Sequence, residues 1–391
     1  MRFHAAVSDD ESTREAVEGV IGQSQEATGG QVDAVFAFVT GHYADDADDI
    51  LERLWLELDP QALIGCSAEG VIGGDREIER APGIAILAAA LPDVRLHPFH
   101  IGERSDWRQI LNDQEQLIDR VGIGPQTRAI IAMGDPFTTP IDPFMAALDQ
   151  HAAGVPLVGG MASSAQQPGE NLLFRNDQRF DRGLVGMSLS GPIAVETIVS
   201  QGCRPIGNPM IITRSHDNVI EQLGGKPALR ALQDSIDSLD PRDRELLENG
   251  LLVGRAISEY REKFGRGDFL VRNVVGVEQD KGAIAVADYV KTGQTMQFHV
   301  RDAASADEDL RLLLEARRTA APAGGLLFSC NGRGIRLFDE PCHDIRAARR
   351  ALTAAPIAGF FAAGELGPVG GKNFIHGHTA SMVLFSEPPQ S

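Results

Sequence analysis

Apolar residues gather into runs along this chain, and the runs recur in a fixed order. Val32–Thr40, Arg128–Asp135 and Gly324–Gly332 each read as a buried strand. An acid-rich or amphipathic segment follows each, at Ala44–Leu58, Ile141–Gln150 and Asp344–Ala354, and reads as a helix. Two apolar residues and a patch of small ones come next: Leu63 to Gly70, Leu157 to Ser164, and Ile357 to Glu365. A last apolar run closes each copy, at Gly83–Leu91, Gly183–Gly191 and Thr379–Phe385. Thr40 precedes Gly65 by 25 residues, Gly134 precedes Gly159 by 25, and Cys330 precedes Gly359 by 29. Strand, helix, glycine-bearing strand and strand at near-constant spacing predict pseudo-symmetric construction. The fold class is therefore α/β, with repeated units forming packed mixed sheets, flanking helices, and two related modules. Glycine lets backbone or ligand approach closely, so the three small-residue patches are where function is first sought.

Between the repeats the pattern is less regular. Residues 9–28 read as one amphipathic helix ahead of the first strand, with Ser12 and Glu15 in capping-box spacing and Gly29-Gly30 at its end. Ala194–Ser200 and Pro209–Ser215 read as strands. From Gly224 to Phe264 the pattern turns helical, with Pro227 in a first turn and a restart at Asp240-Pro241. Residues 269–302 offer three strands, with hairpin turns at Asp280–Gly282 and Thr292-Gly293. Asp307–Arg318 reads as a helix. These elements divide the chain into an N-terminal helix (1–30), a two-repeat module (31–222), a one-repeat module (223–386) and a proline-bearing tail (387–391) expected to fray.

A chain of 391 residues with 43% apolar and 23% charged content has ample material for a core. Its net charge of −19 repels phosphate backbones and anionic lipid, which argues against nucleic acid and membrane as partners. No apolar run approaches the ~20 residues of a membrane span, and no secretory signal opens the chain. The four cysteines, at 66, 203, 330 and 342, show neither zinc-site nor disulfide-framework spacing, so a reducing cytoplasm is the expected location.

The order of several small motifs resembles the FIST family, named for F-box and intracellular signal-transduction proteins. In the first half the resemblance rests on Gly65-Cys66-Ser67 with Glu69-Gly70, Pro156 to Gly160, Asn171, Gly183-Leu184-Val185, Gly202 with Pro205–Gly207, and Leu223 to Ala228. In the second half it rests on Val271-Arg272-Asn273, Ser329 to Gly334, Gly359-Phe360, Gly364-Glu365 and His376 to Thr379. The resemblance implies a stand-alone sensory protein that binds a small ligand, amino acids being the usual suggestion, and signals through a protein partner.

Candidate chemistry follows. Arg333, on a turn with Gly332 and Gly334 past an apolar strand, offers a planar fork suited to a carboxylate. Glu365 suits an ammonium, so the two together match an amino acid; the alternative is a structural ion pair. Cys66, Ser67, Glu69, Gly159, Gly160, Cys330, Asn331, Gly334 and His378 are placed as further ligand-binding residues. Two alternatives stay open. His376 and His378, two apart on a strand, share a face and would ligate a non-covalent heme, a group the resemblance brings into view. Cys66 or Cys330 would serve as an enzyme nucleophile, although no histidine pattern ties a base to either. Neither cofactor nor metal is otherwise expected.

Overall fold

The computed structural model describes residues 1–260, 264–265, 267–317, 321–353 and 355–388. Two compact units divide the chain. The first holds residues 1–199, 310–375 and 379–391; the second holds 200–309 and 376–378. The boundary expected near residue 222 falls inside the second unit, at the end of the strand Val219–Leu223. The reason is topological: the second unit is spliced into the third repeat, between its edge strand Ala194–Gln201 and its core strand Gly324–Cys330.

Three six-stranded sheets make up the first unit, and all three are built alike. In the first, the order is Arg2–Ser8, Ile84–Ala90, Ala34–Thr40, Ala62–Ala68, Leu173–Arg175, Gln178–Phe180. In the second it is Arg95–Ile101, Leu184–Ser190, Thr127–Gly134, Leu157–Met161, Glu365–Val369, Lys372–His376. The third runs Ala194–Gln201, Thr379–Ser386, Gly324–Cys330, Ile357–Ala362, Gly70–Gly73, Arg76–Glu79. Each has an edge strand, an antiparallel neighbour, a central parallel pair and a hairpin. The hairpin is always lent by another repeat. The first repeat lends its hairpin to the third sheet, the third to the second, and the second to the first, which closes a cycle.

The central strands are apolar along their whole length because both faces are covered. Phe38, Phe328 and Phe360 turn inward to a core shared by all three sheets, with Phe38–Phe360 centroids 5.1 Å apart and Phe328–Phe360 5.5 Å apart. Val35, Val39 and Leu63 turn outward to the helices Thr13–Thr28 and Ala47–Leu58. Ile130 and Leu157 meet Ile141–His151 in the same way, and Leu327 and Ile357 meet Ala303–Glu315 and His343–Ala351.

The strand Arg2–Ser8 precedes the first helix, so the N-terminal segment is not purely helical; it pairs with Ile84–Ala90 across seven residues. Its short, mixed sequence carries no clear alternation. Ser12 caps the helix as its spacing indicates, accepting from the Glu15 N–H. Residue 318 of the third-repeat helix, residue 354 and residues 389–391 of the tail lie outside the described residues.

The second unit is a closed barrel. Its order is Cys203–His216, Thr295–Arg301, Leu251–Ala256, Phe269–Glu278, Ala283–Val286 and Val219–Leu223, which pairs back onto Cys203–His216. The helix Ala228–Asp237 covers its apolar interior through Ala231 and Leu232. Two expectations are corrected here. The helical stretch stops at Leu246 and a short 3-10 turn, and Leu251–Ala256 is a strand; residues 261–263 are outside the described residues. The turn at Thr292-Gly293 joins strands that do not pair with each other, since Ala283–Val286 and Thr295–Arg301 have other neighbours. Among the described residues no helix is long and apolar enough to cross a membrane.

Candidate functional site

The repeated glycines have a backbone explanation. Gly65, Gly159 and Gly359 sit opposite Ala37, Ala132 and Leu327 in the three central parallel pairs. At each, an added Cβ would be driven into the partner's carbonyl oxygen, far inside van der Waals contact. Strand packs on strand there, and no ligand is needed to account for the patches. Gly160 fits the same logic, its face pressed by Ala362 and Phe360.

Cys66 belongs to the shared apolar core, and burial pushes its thiol well above the ordinary range. It is no nucleophile in this state. Ser67 is also enclosed: its hydroxyl accepts from Leu172 N–H at 2.8 Å and lies 2.6 Å from Ser164 Oγ. Ser164 donates to Asn171 Oδ1, and Asn171 donates to Asp135 Oδ1, so this polar chain is satisfied from within.

Just past those strands, ends from different repeats meet. Glu69 forms a two-fold ion pair with Arg336, and Arg336 Nη1 also donates to the Asn331 carbonyl at 2.6 Å. Gly334, with φ +55°, sits against the Glu79 carboxylate, which accepts from Ile335 N–H at 3.1 Å. Glu69, Glu79, Asn331, Arg336 and Phe361 line a cleft of about 10 Å³, room for about one water. The cleft is closed.

Arg333, on the same loop as Asn331 and Arg336, is wholly buried. Its Nε and Nη2 donate to Asp344 Oδ2 and Oδ1, both at 2.8 Å, and its guanidinium lies over the Phe338 ring. Burial alone would raise the Asp344 carboxyl, but the Arg333 cation and the His343 contact hold it well below the usual carboxylate range. The fork expected to grip a ligand carboxylate is therefore already spent on Asp344. Only Nη1 is left, and it has no partner among the described residues.

Glu365 is the counterpart. Its Oε2 accepts from Thr379 N–H at 3.1 Å and Thr379 Oγ1 at 2.8 Å, while Oε1 is left without a strong donor among the described residues, the Cys330 thiol being the weak donor beside the carboxylate. Burial pushes its carboxyl up to about 8, against the pull of Thr379, Cys330 and Arg333. Cys330 is buried between these charges and takes a weak contact from Gly332 N–H at 3.4 Å. Glu77, on the hairpin lent by the first repeat, completes the cluster. Its Oε1 accepts from Ile345 N–H at 2.8 Å, and burial together with the nearby Asp344 charge pushes it to about 8.

The histidine expectation is corrected. His376 ends a strand, and His378 stands beyond it in a turn with φ +62°, so the pair shares no strand face. His378 Nε2 lies 3.0 Å from Asn273 Oδ1 within the second unit. Among the described residues no group of three His, Cys, Asp or Glu side chains could hold a metal ion.

Comparison with known proteins adds the family. The model of the FIST N domain matches residues 33–226 and that of the FIST C domain residues 228–368. The chain belongs to the FIST family. Domains of this family are sensory modules of signal transduction thought to bind small ligands. An uncharacterized protein of Mycobacterium tuberculosis is 37% identical over 390 residues, covering 98% of this chain and 100% of its own length. One from Mycobacterium bovis is 36% identical over 391 residues, covering 98% and 99%. A solved structure of a cyanuric acid hydrolase from A. caulinodans aligns over 98% of this FIST protein and 99% of its own chain, with 9% identity and a TM-score of 0.38. At that distance the likeness speaks to neither activity nor substrate.

Sequence reading found Arg333, Glu365, Cys330, Asn331 and Glu69 in this region, and missed Asp344, Glu77, Glu79 and Arg336. The signal for Asp344 was an acid in the first turn of the third-repeat helix, facing the Arg333 loop. For Glu77 there was none, because its hairpin joins a sheet far away in sequence.

Proposed function

We propose that this FIST protein is a cytoplasmic sensor rather than an enzyme, and that its ligand is a small polar metabolite, best matched by an amino acid. One observation carries the reading: in one buried cluster Arg333 Nη1 is a donor without a partner among the described residues, and Glu365 Oε1 is an acceptor with nothing stronger beside it than the Cys330 thiol. Leaving such groups unpaired is costly, and a zwitterion supplies what both lack. A single carboxylate oxygen would accept from Nη1 while the ammonium donates to Oε1, with Cys330 and Asn331 alongside. Entry requires the Glu69–Arg336 pair to part, and that parting is the change a signalling partner would read.

The test is thermal unfolding against the twenty amino acids. The melting temperature should climb as one of them exceeds its Kd. Glu365→Gln should remove the response, and Arg336→Ala, which loosens the cleft, should keep it. An unchanged melting temperature with every amino acid refutes the amino-acid reading.

A further inference from the structure

In the first unit each edge strand lies beside a hairpin lent to a neighbouring sheet, and at two of the three places side chains close the gap. Val7 of Arg2–Ser8 packs so near the first hairpin that a Cβ at Gly73 would meet it at 2.8 Å. His100 of Arg95–Ile101 stacks on Phe180 of the second hairpin, with ring centroids 3.6 Å apart. The third place is open. Between Ala194–Gln201 and the hairpin that turns at Gly370-Gly371 lies a hollow of about 700 Å³. That is within the ~300–1,000 Å³ range of small-molecule sites.

Its lining is one-sided in charge. Ile193, Val195, Pro156 and Pro368 give apolar, mostly stiff walls, Thr127, Thr197 and Asn373 add neutral polar groups, and the glycine turn gives a wall without side chains. No aspartate or glutamate is among the described lining residues, in a chain of net charge −19. Arg128 is the charged one. Its Nε makes a long 3.4 Å bond to the Gly191 carbonyl, and both terminal nitrogens are without partners among the described residues. A guanidinium with a free edge beside an apolar wall fits a carboxylate that carries a hydrophobic body. The structure assigns this hollow as a binding site for an organic acid of that class, separate from the amino-acid site and independent of it.

Isothermal titration of the full chain with 1-naphthoate tests the assignment, with no amino acid present. Saturable one-to-one binding is expected. Arg128→Gln, on an exposed side chain, should weaken it at least tenfold, and the neutral 1-naphthalenemethanol should bind at least tenfold less tightly than the acid. Ala194→Trp, which fills the hollow, should abolish binding. Absence of saturable binding, or binding indifferent to both Arg128→Gln and ligand charge, overturns the assignment.

Discussion

Arg333 and Asp344 meet through two parallel 2.8 Å hydrogen bonds, with each side chain 1% exposed. Charge buried this deeply stays favourable only while both partners are present. Asp344→Ala should therefore cost about 3–5 kcal/mol by stranding the guanidinium. Joint replacement of Arg333 and Asp344 by leucine should cost less than that single change. Denaturant unfolding of the single and double variants checks it, and a double variant as damaged as the sum of its singles would refute it.

Glu77 and Glu365 bind a proton more readily folded than unfolded, since both are pushed from an ordinary 4.5 up to about 8. Their contribution to stability is complete below pH ~4.5 and drains away as pH rises through about 8. Asp344 has the opposite sign: its contribution is present above the ordinary carboxylate value and is lost only at lower pH. Between pH 6.5 and 8 the buried glutamates thus set the slope, at up to about 1.4 kcal/mol per pH unit each; below 6.5 the buried His299, pushed down to about 4, works against them. Melting temperatures recorded from pH 5.5 to 8.5 should fall more steeply for the native chain than for Glu365→Gln. Parallel curves would count against it.

Glycine to alanine should divide sharply by position. At Gly65, Gly159 or Gly359 the added methyl meets a carbonyl oxygen of the paired strand, and no soluble folded protein is expected. At Gly22, in the helix Thr13–Thr28 with nothing within 4 Å, alanine should stabilise by about 0.5–1 kcal/mol. Soluble yield and thermal unfolding read both outcomes.

All four cysteines are outside any disulfide and buried, and burial raises the Cys66 thiol well above its ordinary value. Iodoacetamide at neutral pH should leave the native chain unmodified and label all four sites once guanidinium unfolds it. Rapid labelling of Cys66 or Cys330 in the native chain, seen by mass spectrometry, would revive the enzyme reading.

The repeats and their element order were legible because each central strand is a short apolar run bracketed by turn residues, a local signal. The helices of each copy were legible for the same reason. The partnership of Glu77 with Ile345 was not, because it depends on which sheet receives the hairpin of the first repeat, and no local pattern encodes that destination. The second unit misled in a similar way. Leu251–Ala256 carries Gly254 and Arg255 within an apolar stretch, and only closure of the barrel makes it a strand. At the site, Arg333 was recognisable as an unusual arginine. Its spent fork was not, since Asp344 lies a turn, a loop and a helix start away.

The cycle of lent hairpins has a consequence for how this chain comes into being. The first repeat leaves the ribosome with Gly70–Gly73 still lacking its sheet, because Ile357–Ala362 is almost three hundred residues behind it. An unmatched strand edge invites wrong partners for as long as it waits. Synthesis must pass residue 362 before the interlock can shut, and a product truncated ahead of residue 357 leaves the first hairpin without its sheet and the second and third sheets incomplete.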